Sequence, residues 1–201
     1  MSAGIYITRT ATFYLANRRY LSRTMDFLDI EYLRSGNEVQ KRAYDTLVRH
    51  GVMRLLAPYT PLLAGTIPLG IDVEGSDLDI VCGFDNPDEF EVQVRKLFGH
   101  YPSFAISREM VGRWDTVVAS FAADGFEIEL FGQARPVTEQ NAYRHMVAEY
   151  LILEREGEGF RRRVVELKRE GVKTEPAFAR LLGLAGDPYE AILNLYEQYM
   201  G

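Results

Sequence analysis

The chain has 201 residues, of which 47% are hydrophobic and 26% charged, enough apolar material for the core of one globular domain. Its net charge of −6 argues against a general attraction to nucleic-acid backbones, so we expect no general duplex DNA binding. We expect no membrane segment, because every apolar run is interrupted well before the roughly 18 residues that a spanning helix needs. Cys82 is the single cysteine, which excludes an intrachain disulfide and favours a reducing compartment, the cytoplasm.

The charge is unevenly distributed along the chain. Residues 1–25 contain four arginines and no acidic residue, so all 29 acidic residues follow them. This composition is typical of a transit peptide, but a second methionine, Met25, favours an upstream start or a loosely attached extension. We predict a flexible basic leader over 1–25, an α/β domain over 26–135 and a helical region over 136–201 that packs on it.

Helical and strand patterns alternate after the leader. Asn37 can cap a helix whose apolar residues recur at helical spacing as far as Gly51. A short apolar run at 62–64 follows. Residues 78–84 are apolar apart from Asp79, which is the pattern of a buried strand that carries one polar side chain inward.

The second half of the chain contains a hairpin and then a helical tail. Asn86 and Pro87 predict the start of a helix that reaches Phe98, because proline suits a first helical turn. Two strands, 114–122 and 126–131, flank an Asp-Gly pair, which predicts a β-hairpin. Helical patterns then continue at about 138–156, 160–170, 175–184 and 188–200. This order of elements predicts an α+β fold.

Two aspartates, Asp77 and Asp79, stand at the entrance to the buried strand. Because side chains alternate along a strand, both carboxylates lie on the same side. Two carboxylates held close together in a low-dielectric environment repel each other, and a divalent cation with oxygen ligands is the usual compensation. The pair therefore predicts a metal site.

The strand at 126–131 offers a third carboxylate, since Glu127 and Glu129 point to the same face. An antiparallel strand with one wet face would explain both residues without a ligand. If this strand pairs beside Asp79, one of the two glutamates completes a three-carboxylate cluster suited to Mg²⁺. Glu129 is the preferred candidate because it lies further from the hairpin.

Gly65 and Thr66 are a candidate phosphate contact, because glycine lets backbone N–H groups approach an anion and a hydroxyl can donate a hydrogen bond. Ten residues that include Ser76 separate this pair from Asp77-x-Asp79, and an acidic strand follows downstream. This arrangement resembles the nucleotidyltransferase superfamily, the group with the DNA polymerase beta type of palm. The pattern of that superfamily is Gly-Ser, about ten residues, Asp-x-Asp on a strand, and a third acid on a later strand.

The resemblance implies a mixed palm sheet, Mg²⁺ as cofactor and a nucleoside triphosphate as substrate. The resemblance implies that Gly65 and Thr66, with Ser76 beside them, bind the triphosphate. It also implies that Asp77, Asp79 and either Glu129 or Glu127 bind the metal. The arginine that often follows Gly-Ser is absent here. Other cations must then neutralise the phosphates, and the candidates are Arg113, Arg144, Lys168 and Lys173. Lys173 precedes a predicted helix, whose N-terminus favours an anion.

Several short runs resemble more closely an uncharacterised bacterial domain family, which would cover residues 26–200. These runs are Ala64-Gly65-Thr66-Ile67-Pro68, Ser76-Asp77-Leu78-Asp79-Ile80, Glu129-Leu130-Phe131-Gly132-Gln133, Gln140-Asn141-Ala142-Tyr143-Arg144-His145 and Lys173-Thr174-Glu175-Pro176-Ala177-Phe178-Ala179. His145 in the fourth run is a candidate polar group on the acceptor side.

We therefore predict a Mg²⁺-dependent nucleotidyltransferase that moves a nucleoside monophosphate to the hydroxyl of an unknown acceptor, whether a small molecule, a protein or RNA. Two other classes remain open. One is a catalytically inactive module of the same fold that binds a nucleotide or a partner. The other is a regulatory or antitoxin-like protein that acts through its helical tail. Nucleotide binding with pyrophosphate release distinguishes the first class from the other two.

Overall fold

The computed structural model describes residues 26–200, and the predicted basic leader at 1–25 lies outside them. The described residues form eight α-helices and five strands. In chain order these are α1 (Glu38–Arg49), α2 (Val52–Leu55), β1 (Leu62–Ala64), α3 (Thr66–Leu69), β2 (Leu78–Gly83), α4 (Pro87–Phe98), β3 (Ala105–Val111), β4 (Trp114–Ala123), β5 (Phe126–Gln133), α5 (Asn141–Glu156), α6 (Glu158–Arg169), α7 (Thr174–Leu182) and α8 (Pro188–Met200).

The five strands form one mixed sheet in the order β1-β2-β5-β4-β3. β2 and β5 run parallel, and every other neighbouring pair is antiparallel. The parallel register places Asp79 opposite Glu129, and the β1 register places Ala64 opposite Asp79 on the other side. The predicted α+β fold with a mixed sheet is confirmed.

The local signals in the sequence account for most element boundaries. Asn37 caps α1 through a capping box with Gln40, in which each side chain bonds the backbone N–H of the other residue. Asn86 accepts hydrogen bonds from the first turn of α4, where Pro87 has no N–H to lose. Asp124 and Gly125 join β4 to β5 as predicted, both with positive φ.

Four elements differ from the predictions. β3 was not predicted, because this edge strand is exposed along most of its length and therefore lacks an apolar alternation. The one-turn helices α2 and α3 were also not predicted, and Thr66 is the first residue of α3. The helix predicted from residue 138 begins as a 3-10 turn, Val137–Glu139, and becomes α-helical only at Asn141, because Gln140 is extended and donates its side-chain amide to the Cys82 carbonyl.

Each face of the sheet buries its own apolar cluster. One cluster joins Ile128 and Leu130 to α1 and α4, and the other joins Val81 to the helices α5 to α8. Asp79 alternates in phase with Val81 along β2, so its carboxylate lies on the face that these later helices cover. Among residues 26–200, no helix is both long and apolar enough to span a lipid bilayer.

Candidate active site

A cleft of about 890 Å³ opens between the sheet and the helices α5 to α7. The sheet contributes the end of β1, the start of β2 and the middle of β5, together with the turn between β3 and β4. The opposite wall is formed by α5, the end of α6 and the start of α7. Most residues singled out in the sequence line this cleft: Gly65, Thr66, Ser76, Asp77, Asp79, Arg113, Glu129, His145, Lys168 and Lys173.

Three carboxylates converge on the sheet side. One oxygen each from Asp77, Asp79 and Glu129 lies within 4.8 Å of the other two, and all three side chains are partly buried. The parallel pairing of β2 with β5 produces this convergence, since it places Asp79 opposite Glu129. Glu127 lies on the same face of β5, but it is exposed and stands outside the group. The structure therefore associates Glu129, and not Glu127, with the two aspartates.

The electrostatics of this group are unfavourable when all three carboxyls are ionised. Burial, with the neighbouring Asp77 and Glu129 carboxylates, raises the pKa of Asp79 to about 7. Burial and the Asp77 charge raise the pKa of Glu129 as well. Three oxygen donors with excess negative charge are the ligand set that a hard divalent cation such as Mg²⁺ prefers. The residues therefore fit a metal of this kind.

The Gly65-Thr66 pair lies directly beside the acidic group. Gly65 has a φ of +81°, and a Cβ atom at this position would stand 2.1 Å from Oδ2 of Asp79, so no larger residue fits without a shift. The Thr66 hydroxyl lies 3.5 Å from the Ser76 hydroxyl, which accepts a hydrogen bond of 3.0 Å from the Val73 N–H. This contact ties the candidate phosphate-binding turn to the loop that precedes Asp77.

The four candidate cations differ in their positions. The Lys168 ammonium, half-buried, donates a hydrogen bond of 2.9 Å to the Ile71 carbonyl, and burial lowers its pKa. Lys173 and Arg113 are exposed at the edge of the cleft. Arg144 is not among the cleft-lining residues, because its guanidinium pairs with Glu197 and lies over the Tyr196 ring.

Four further charged residues of the cleft were not predicted as site residues: Glu74, Arg135, Glu149 and Glu175. Arg135 and Arg113 each place the guanidinium carbon 4.9 Å from the centre of the Trp114 ring, so together they form a cationic rim near the β3–β4 turn. No local sequence pattern identifies Arg135 as a cleft residue, because its position depends on how the chain packs after the end of β5.

Glu175 and His145 form a polar pair on the helical wall. Nδ1 of His145 lies 3.2 Å from Oε1 of Glu175, and Nε2 lies 3.1 Å from the Tyr189 carbonyl oxygen. Both partners are acceptors, so an imidazole nitrogen that carries a proton donates to the partner it faces. Burial acts to raise the pKa of Glu175, but the hydrogen bond from His145 and a backbone hydrogen bond keep that pKa below its ordinary value. His145 thus acts as a fixed link between α5, α7 and the start of α8.

Glu149 is the most deeply buried acid of the cleft, with 4% of its surface exposed. It shares a face of α5 with Met146 and Leu153, which are buried apolar residues three positions before it and four after it. A charged residue on an otherwise apolar helix face is a signal that the sequence contained and that helical periodicity could have revealed.

A family model described as "Domain of unknown function (DUF4269)" matches residues 45–195 of the chain. The predicted resemblance to an uncharacterised domain family is thereby confirmed. No curated protein matches the sequence.

Several solved structures are similar to this chain. Cid1 poly(U) polymerase in its MgGTP-bound form matches 78% of the chain and 47% of its own, with 14% identity and a TM-score of 0.46. The polymerase core of TRAMP, an RNA surveillance complex, matches 81% of the chain and 57% of its own, with 13% identity and a TM-score of 0.42. The GLD-2/RNP-8 complex matches 84% and 62%, with 12% identity and a TM-score of 0.43. The chain thus spans about half the length of these proteins.

Proposed function

The chain belongs to the DUF4269 family, and from the geometry of its cleft we propose that it is a Mg²⁺-dependent nucleotidyltransferase. One observation carries this proposal: the carboxylates of Asp77, Asp79 and Glu129 meet within 4.8 Å beside the Gly65-Thr66 turn, in a cleft of about 890 Å³. The pairing of β2 with β5 brings together residues that are 50 positions apart in the chain. A cleft of this volume is in the range of pockets that hold a small organic ligand.

The proposed reaction attaches a nucleoside monophosphate to an acceptor hydroxyl. The hydroxyl oxygen attacks the α-phosphorus of a nucleoside triphosphate and its proton passes to solvent water, while the bond from that phosphorus to the β-phosphate oxygen breaks and pyrophosphate leaves. Asp77, Asp79 and Glu129 would hold Mg²⁺, which when bound supplies electrostatic stabilisation of the phosphate charge and of the attacking oxygen.

The remaining roles in the proposal follow from the positions of polar groups around the acids. The Thr66 hydroxyl and the backbone N–H groups at the Gly65-Thr66 turn would bind the triphosphate, with Ser76 fixing the orientation of Thr66. Lys168 and Lys173 would supply the positive charge that the triphosphate needs, because the three residues after Thr66 are the buried apolar Ile67, Pro68 and Leu69. Arg113 would add charge from the rim.

The acceptor is a small molecule, a protein or RNA in this proposal, and the compartment is the cytoplasm. The absence of a cation immediately after Thr66 also fits a second candidate, a module of the same fold that binds a nucleotide and does not turn it over. A regulatory or antitoxin-like role through the helices α5 to α8 belongs to this second class. Pyrophosphate release separates the two candidates, since the module would bind Mg²⁺-nucleotide and release nothing.

The test is a pyrophosphate-release screen on the full chain. Each of the four nucleoside triphosphates is incubated with Mg²⁺ and a panel of small-molecule, protein and RNA acceptors, and Glu127→Gln is the matched control for the Asp79→Ala variant. We expect release with the wild type and with Glu127→Gln, and none with Asp79→Ala. Nucleotide binding without release in all combinations would favour the module, and no nucleotide binding would contradict both candidates.

A further inference from the structure

Glu149 has a buried oxygen that no group of the described residues satisfies. Its side chain is 96% buried, projects from the middle of α5 and lines the cleft. Oε1 is inaccessible and has no hydrogen-bond partner among residues 26–200. Leaving a buried acceptor without a hydrogen-bond partner costs stability. A group with this cost is expected to have a partner in the working state of the protein.

The neighbouring charged groups are already engaged elsewhere. Lys168 acts on Glu149 electrostatically but donates its hydrogen bond to the Ile71 carbonyl. Glu175 is paired with His145, and its negative charge repels that of Glu149. Burial and this repulsion raise the pKa of Glu149 well above the ordinary value for a glutamate. Among residues 26–200 these neighbours leave Oε1 of Glu149 without a partner, which a ligand group in the cleft would supply.

The position of α5 indicates which part of a substrate reaches Glu149. α5 packs against β1 and α3, the two elements joined at Gly65 and Thr66. Lys168, next to Glu149, is also within electrostatic reach of Asp77 and Asp79. Glu149 thus projects from the helix that packs beside the turn where the proposed triphosphate binds.

We propose that Glu149 is a specificity-determining residue that accepts a hydrogen bond from a ribose hydroxyl of the bound nucleoside triphosphate. This inference rests on the proposed function. A hydroxyl both donates and accepts, so it satisfies the Glu149 carboxyl in its ionised and its protonated form, whereas an ammonium group can only donate. Lys168 already places one cation beside this carboxyl, which further favours a neutral partner over a charged one.

A site built to bond a hydroxyl discriminates strongly against an analogue that lacks it, because the buried acceptor is then left without a partner. The wild type is therefore expected to bind a ribonucleotide at least about tenfold more tightly than its 2′-deoxy or its 3′-deoxy form. The side chain of Glu149 alone is expected to cause this preference.

The experiment is a calorimetric titration of the full chain. It measures the affinity for the Mg²⁺ complexes of ATP, 2′-deoxy-ATP and 3′-deoxy-ATP. The same measurements are made with the corresponding GTP, CTP and UTP series. The variants are Glu149→Met, which keeps the side-chain length without the acceptor, and Glu149→Gln, which keeps an acceptor oxygen. Glu154→Gln, an exposed acid on the same helix, is the matched control. Urea unfolding of each variant without ligand monitors folding, and Glu149→Met should be at least as stable as the wild type.

We expect Glu149→Met to bind the ribonucleotide and both deoxy forms within about threefold of one another, while Glu149→Gln and Glu154→Gln keep the preference. A wild type that binds nucleotides without distinguishing the sugars would overturn the role of Glu149 and leave the proposed function intact. Retention of the full preference by Glu149→Met would do the same. Failure of every nucleotide to bind the wild type would overturn both.

Discussion

The two walls of the cleft hold their charges in different ways. On the sheet wall, Asp77, Asp79 and Glu129 lie together, and none of them forms an ion pair with another described residue. On the helical wall, His145 pairs with Glu175, and Lys168 is held by the Ile71 carbonyl, so Glu149 stands out as the unpartnered acid there.

This difference indicates what each wall does for the protein. Unpaired carboxylates crowded together destabilise the metal-free fold, which supports the proposed metal site. The paired charges on the helices link α5, α7 and α8, and they position the wall against the sheet. We therefore expect substitutions on the sheet wall to affect ligand binding while sparing the stability of the protein.

The largest effect is expected from Asp79→Ala. Removing one of three crowded carboxylates should abolish Mg²⁺ binding and lower pyrophosphate release by about 10³-fold or more. The free energy of unfolding without metal should stay equal or rise, because repulsion is relieved. Activity assays and urea unfolding measure the two quantities. A clear loss of metal-free stability would instead identify Asp79 as a structural hydrogen-bonding residue.

The two glutamates of β5 provide a matched pair for the next test. Glu129→Gln should lower activity by about 10²-fold, since even residues that only support metal ligands typically contribute 10- to 100-fold. Glu127→Gln, on the same face and outside the group, should change activity by less than about threefold. Initial rates of pyrophosphate release compare the two variants. Equal losses in both would show that the acidic group extends along β5.

Lys173→Ala tests the contribution of the helical wall to the triphosphate. Lys173 stands immediately before α7, where a cation is electrostatically unfavourable unless an anion or a neighbouring acid compensates it. We expect Mg²⁺-nucleotide affinity to fall about tenfold, or about 1.4 kcal/mol, with metal-free stability equal or slightly raised. Lys96→Ala, an exposed lysine on α4, is the control for calorimetric titration. Unchanged affinity in Lys173→Ala would assign Lys173 to the solvated surface.

The smallest effect is the pH dependence of stability without metal. The pKa of Asp79 is raised in the folded protein to about 7, so folding favours its protonated form. This contribution is fully present below about pH 4 and is lost as the pH rises towards 7. After allowance for solvent screening, we expect a loss of about 1 kcal/mol between pH 5 and 7, which Asp79→Ala should lack.

Saturating Mg²⁺ should reverse the direction of this pH dependence, because a cation competes with the proton for the same carboxylate. Urea unfolding between pH 5 and 8, with and without Mg²⁺, measures the effect. Identical pH profiles for the wild type and Asp79→Ala would contradict the assignment of the raised pKa to Asp79.

The sequence alone determined those features of this protein that depend on neighbouring residues. The caps at Asn37 and Asn86, the strand around Asp79 and the Asp-Gly hairpin follow from local hydrogen bonding and alternation. The spacing from Gly65 to Asp79 also predicted that these residues belong to one site, because a turn and the strand after it are close in the chain.

The tertiary structure alone decided the features that depend on distant residues. The parallel register of β2 with β5 placed Glu129, and not Glu127, beside Asp79, and the exposed edge strand β3 formed only by pairing with β4. Glu149 and Arg135 line the cleft because of the way α5 and the end of β5 pack. A local sequence pattern predicts whether a residue is buried. It does not predict which residues pack against it, because these come from segments that are far apart in the chain.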